Sequence, residues 1–167
     1  MNIRKANHQD IEPIMQLIRE AVSLMQAAGN QQWDASYPNA DIFTQDINAG
    51  YLWIAEIDSV VAGVIAVTDK QEEEYGQIPG WDITERAIVA HRLAVSPHHR
   101  GKGLAAALLQ QCEVVAREQH IELLRLDTNT LNRPMQNLFM KLGYHMAGEI
   151  TLHNRPDQQF LAFEKRL

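Results

Sequence analysis

The chain is 167 residues long, 46% hydrophobic and 22% charged, with a formal net charge of −6. That length suits one domain spanning residues 1–167 with a sizeable core, and the acidic balance argues against a nucleic-acid binder, which would show a basic face. No apolar run nears the roughly 20 residues of a membrane span, Met1-Asn2-Ile3-Arg4 lacks a signal-peptide core, and the lone Cys112 excludes an internal disulfide and fits a reducing, cytoplasmic setting.

An opening strand precedes a helix that the pattern starts near Asn7, with Asp10 as its capping partner. Ile11, Ile14, Met15, Ile18, Val22 and Met25 share one face of that helix, and Gly29 stops it. Residues 30–40 form a loop in which Trp33 and Tyr37 are expected to be exposed. A short helix over Asp41–Asn48 follows and ends at Gly50. Tyr51–Ile57 and Val60–Thr68, apolar and β-branched, flank Asp58-Ser59 and read as an antiparallel hairpin.

Residues 69–80 read as an acidic loop, in which Glu72-Glu73-Glu74 could steer cations but reads first as solvated surface. Ile88–Val95 is the next strand. Leu104, Leu108, Leu109, Cys112, Val115 and Ala116 give the helix after Gly103 a broad apolar face, with Cys112 in the core. Leu123–Thr128 is a strand, and a helix with Pro134 in its first turn ends at Gly143. Strands near Tyr144–Thr151 and Phe160–Arg166 close the chain. The order β-α-α-β-β-β-α-β-α-β-β predicts an α/β (α+β) domain: a mixed, mostly antiparallel sheet of six or seven strands flanked by about four helices.

The stretch from Arg92 to Ala106 carries the chemistry. Gly101 and Gly103 allow a ligand to approach the backbone, and the following helix start offers unpaired N–H donors and a positive dipole end. With Arg100 and Lys102 these predict a phosphate or pyrophosphate cradle. Gly101-x-Gly103-x-x-Ala106 formally fits a dinucleotide fingerprint, with Asp127 in the position of a ribose-binding acid. The intervening Ser96-Pro97-His98-His99 and the upstream hairpin speak against that reading. A magnesium-nucleotide loop fails because Gly103, not Ser or Thr, follows Lys102.

Arg100-Gly101-Lys102-Gly103-Leu104-Ala105 resembles the [Gln/Arg]-x-x-Gly-x-[Gly/Ala] signature of the GNAT superfamily of acetyl-CoA-dependent N-acetyltransferases. Asn132-x-x-Met135-x-x-Leu138-Phe139-x-Lys141-x-Gly143-Tyr144 resembles that family's later motif, and the element order is similar over nearly the whole chain. The resemblance implies a V-shaped splay between the fourth and fifth strands that admits the pantetheine arm beside Leu93, Ala94 and Val95. It also implies that the amides of Arg100, Gly101, Lys102, Gly103, Leu104 and Ala105 hold the pyrophosphate, and that Asn132 lies near the thioester. The expected reaction is direct attack of a primary amine, on a small molecule or peptide, on acetyl-CoA, with no metal and with a homodimer as a common assembly.

An ammonium must lose a proton before it attacks, since its reference pKa is about 10.4 for a lysine side chain. His91, beside the cofactor strand, is the first candidate base, and Glu85 acting through water is the second. The family's usual tyrosine acid is replaced here by Phe139, which has no proton to give, and Tyr144 is expected to be packed. The resemblance draws the acceptor pocket from the first two helices and their loops, which selects Trp33, Tyr37 and also Trp81 as substrate-binding candidates. Phe139 keeps open a second reading, an acyl-CoA-binding sensor with weak or no catalysis.

Overall fold

The computed structural model describes residues 1–167. The strands are β1 (Asn2–Lys5), β2 (Leu52–Ile57), β3 (Val60–Thr68), β4 (Ile88–Val95), β5 (Leu123–Asn129), β6 (His145–Leu152) and β7 (Arg155–Arg166). The helices are α1 (Ile11–Ala27), α2 (Ala40–Asn48), α3 (Leu104–Glu118) and α4 (Arg133–Lys141). The strands form a seven-stranded mixed sheet in the order β1-β2-β3-β4-β5-β7-β6. No helix is long and apolar enough to cross a membrane.

The chain divides into two compact units, one of residues 1–67 and 91–111, the other of 68–90 and 112–167. In the first, β1 and β2 are antiparallel, as are β2 and β3. Asp58 and Ser59 turn the hairpin with φ of 50° and 64°, the left-handed pair that a two-residue hairpin loop requires. α1 begins after a short 3-10 turn, His8–Asp10, so the helix proper starts four residues later than the expected Asn7. The expected capping box is present: the Asp10 carboxylate accepts from Asn7 N at 2.8 Å, while Asn7 Oδ1 accepts from Gln9 N.

Apolar residues at helical spacing on α1 (Ile14, Leu17, Ile18, Val22) bury against Phe43 of α2 and Leu52, Ile54, Val64 and Ala66 of the hairpin. Trp33 belongs to this core and is only 6% exposed. The expected exposed aromatic is therefore corrected: covering its ring with α1 and the hairpin removes a large apolar surface from water. Gly63 of β3 faces α3, where an added Cβ would lie 2.9 Å from Leu108 Cδ1. An added Cβ there would force the Leu108 side chain to shift.

In the second unit, β4 runs parallel to β5 through Ile88–Leu124, Val89–Arg125 and Ala90–Leu126, and β5, β7 and β6 are antiparallel neighbours. Tyr75, Ile78, Val89, Ile150, Phe160 and Ala162 form its core. The acidic stretch is thus more than a solvated loop. It contains a 3-10 turn, Glu73–Gln77, that buries Tyr75 completely. Phe139 is 3% exposed and packs edge-on against Phe163 at 5.2 Å and at a tilt to Tyr144 at 6.0 Å. Tyr144 and Cys112 are buried as expected, and burial pushes the Cys112 thiol up to about 12.

Candidate active site

In the first unit, β4 leads through a Ser-Pro turn into α3. Ser96 N donates to Ala62 O at 2.8 Å, and the Ser96 side chain caps the short turn Pro97–His99. Gly101 and Gly103 have φ of 76° and 74°, with nothing within 4 Å of an added Cβ at either. Glycine is needed there for the backbone angle, and the space above it stays open.

The first intrahelical bond of α3 runs from Ala107 N to Gly103 O at 3.0 Å. The N–H groups of Leu104, Ala105 and Ala106 therefore have no carbonyl one turn back within the helix. Arg100 and Lys102 are exposed beside them, whereas Leu104 anchors the turn at 2% exposure. Such a group of donors, with positive charge and open space, fits a pyrophosphate. Upstream, Ala94 is buried in the core, while Leu93 and Val95 are half-buried.

Arg92, just before Leu93, has φ of 53° in the middle of a strand. Its Nε donates to Asp46 Oδ2 and its Nη2 to Asp46 Oδ1, both at 2.8 Å, and Nη1 donates to Tyr37 Oη at 3.3 Å. Tyr37 is half-buried against the core.

Neither expected base has the basicity its type suggests. Burial, reinforced by the Arg92 charge, lowers the His91 imidazole to about 3. It stays neutral near pH 7 and is far too weak to strip an ammonium. The Glu85 carboxylate is held by the Arg166 guanidinium at 2.8 Å and 2.9 Å, which lowers its pKa and occupies both oxygens.

A more basic carboxylate is Asp127, near the C-terminal end of β5, which the sequence placed only where a ribose-binding acid would stand. Burial raises its carboxyl to about 6; Glu72 and Glu74 push the same way, and a hydrogen bond from Tyr75 Oη, 2.7 Å away, opposes them. Burial first, and then the Asp127 charge, put the Tyr75 phenol well above its usual range. The one signal in sequence was an acid flanked by Leu126 within a strand that opens on Leu123 and Leu124.

In the same unit Trp81 stacks edge-on against Tyr75 at 5.3 Å, and the Arg125 guanidinium lies 4.2 Å from the Trp81 ring centroid. The cation that Trp81 was expected to take from a substrate is thus supplied by the protein. Asn132 caps α4, its Oδ1 accepting from Met135 N at 3.4 Å. No group of His, Cys, Asp and Glu side chains could hold a metal ion.

A profile of the acetyltransferase (GNAT) family matches residues 15–144. A GNAT-family acetyltransferase from Streptococcus agalactiae has the same fold, with TM-score 0.86, 34% identity, and coverage of 99% of this chain and 95% of that one. The uncharacterized N-acetyltransferase YesJ of Bacillus subtilis is 28% identical over 145 residues, 86% of this chain and 81% of that protein. YncA from Salmonella typhimurium, solved with its cofactor acetyl-CoA, shares the fold at TM-score 0.72 and 20% identity over 100% of this chain and 94% of that one. The chain spans about half the length of the rat and human N-acetyltransferases it also matches.

Proposed function

The chain belongs to the GNAT acetyltransferase family and is an acyltransferase by that membership, and we propose that it moves the acetyl group of acetyl-CoA directly to a primary amine of a small molecule or peptide. The glycine turn ahead of α3 carries the reading. Two left-handed glycines with open space above them, next to helix-start amides, suit a pyrophosphate. The bound acetyl-CoA of YncA supports the same donor here. Leu93, Ala94 and Val95 offer the strand against which the pantetheine lies, and Arg100 and Lys102 add charge at the phosphates.

Asp127 is the most basic buried carboxylate of the second unit, and its substitution tests it as a proton acceptor. Its carboxyl, near 6, is ionised at neutral pH yet basic enough to take a proton as the C–N bond forms. The ammonium first loses a proton to solvent, the amine nitrogen adds to the thioester carbonyl and gives up a second proton, and the tetrahedral intermediate expels the CoA thiolate. That thiolate, with a pKa near 8.5 by analogy with cysteine, leaves without a strong acid. Phe139 is then no obstacle. Tyr37, on the loop between α1 and α2, is the acceptor-side residue retained, because Trp33 is part of the core.

The test is a thiol-release screen over amines, amino acids and peptides, run beside thermal shifts with CoA and with NAD. Acetyl-CoA-dependent thiol release that requires an amine supports the proposal. Stabilisation by CoA without transfer to any acceptor would favour the sensor reading, and stabilisation by NAD alone would overturn the donor assignment.

A further inference from the structure

Arg92 is an unexpected residue at its position. A bulky L-residue seldom adopts φ near +53°, and glycine would do so freely. The strand continues on both sides of it, from Ile88 to Val95. Some interaction must hold the kink, and the guanidinium supplies one. Its side chain is 16% exposed and forms a two-pronged ion pair with an Asp46 side chain that is 9% exposed. Paired N–H donors on both carboxylate oxygens fix direction as well as distance.

Asp46 is itself held in place. It lies on α2, whose start is capped by Asn39 Oδ1 accepting from Ile42 N at 3.0 Å. Its backbone carbonyl accepts from Tyr51 N at 2.8 Å, just ahead of β2. Tyr37 Oη, from the preceding loop, adds a third contact to the same guanidinium.

We infer that the Asp46–Arg92 ion pair is a clamp that holds Arg92 in the left-handed conformation and so sets the peptide through which β4 presents Leu93. This rests on the reading of β4 as the strand that takes the pantetheine. Arg92 is then a positioning residue, not a catalytic one, and α2 acts on the cofactor strand through it. Asp46 and Tyr37 also belong to the segments from which the acceptor side is drawn, so the clamp joins that side to the donor strand by a single side chain.

The test compares D46A, R92A, R92G and the double variant D46A/R92G for CoA affinity by calorimetry and for melting temperature. D46A and R92A should each weaken CoA binding roughly tenfold, the scale of an L-residue's penalty in the left-handed region. R92G and D46A/R92G should stay within about threefold of the wild type, because glycine keeps the kink without the clamp. Glycine variants as weak as the alanine ones, or alanine variants that bind like the wild type, would overturn the clamp. If the alanine variants do not fold, D46A/R92G decides alone: near-wild-type affinity supports the clamp and a tenfold loss overturns it. A wild type that fails to bind CoA would defeat the cofactor reading instead. The φ of residue 92 in a crystal structure of D46A, or of D46N should D46A not fold, then tests the clamp independently. A return to negative φ supports it, and retention near the wild-type angle refutes it.

Discussion

Replacing Asp127 with Asn should make the protein more stable and much less active. In the folded chain the carboxyl titrates at about 6, against an ordinary 3.8. Because the folded pKa is the higher one, ionisation costs the folded state stability as pH rises through the window from 3.8 to 6. The gap of 6 − 3.8 = 2.2 units corresponds to about 3 kcal/mol at about 1.36 kcal/mol per unit. Asn is isosteric, cannot ionise, and can still accept from Tyr75 Oη. D127N should therefore gain up to about 3 kcal/mol at pH 7.5, a rise in Tm of about 6–12 °C for a chain of this size. The gain should fall to roughly half at pH 5 and vanish below about pH 3.8. Above about pH 6, where the wild-type carboxyl is ionised, kcat should drop by about 10²–10⁴, the usual contribution of a positioned base, and the deficit should shrink at lower pH. Calorimetric melts at several pH values and initial rates on a responsive amine measure both effects. A variant no more stable than the wild type at pH 7.5, or a gain independent of pH, would refute the reasoning. So would undiminished turnover.

Tyr75→Phe removes the hydrogen bond that favours the Asp127 carboxylate, so the acid limb of kcat/KM should move up from near pH 6 by about one unit, as a pH–rate profile would show. His91→Gln should leave that limb in place, because the imidazole is already neutral above about pH 3; a limb that moves with this substitution would restore His91 as the base. Gly103→Glu should cost about 1–2 kcal/mol of stability, from the left-handed angle alone. CoA affinity should fall at least about a hundredfold, through repulsion of the phosphates and a blocked approach; calorimetry and thermal melts read the two effects separately.

Elements with a strong period or a clear cap were readable from the sequence. The apolar spacing of α1, the Asn7–Asp10 capping box, the Asp58-Ser59 hairpin and the limits of β4 are local matters, settled by residues close together in the chain. The site was legible only where it, too, is local, as in the glycine turn that opens α3. Trp33 misled because a loop aromatic is buried or exposed according to what α1 and β2 place against it. Tyr75 was hidden in an acidic run that reads as solvated surface. The basicities of His91 and Asp127 reverse for the same reason. Their reference pKa values favour histidine, but burial acts on the charged form of each, lowering the imidazole and raising the carboxyl. Tyr75 lies 52 residues from Asp127 in sequence, so no spacing rule could pair them. Arg92 is the extreme case, since nothing in its chemistry announces a left-handed backbone.

The sheet order has a consequence for how the chain assembles. β7 follows β6 in sequence but lies between β5 and β6 in the sheet. As the polypeptide emerges from the ribosome, β6 is complete before the strand on which it must dock exists. Its backbone groups wait in water until residues 155–166 arrive to pair with β5 on one side and β6 on the other. Closure of the second unit is therefore a late, non-local event, and chains that stall or are clipped between Leu152 and Phe160 would display two unsatisfied strand edges at once, an invitation to aggregate.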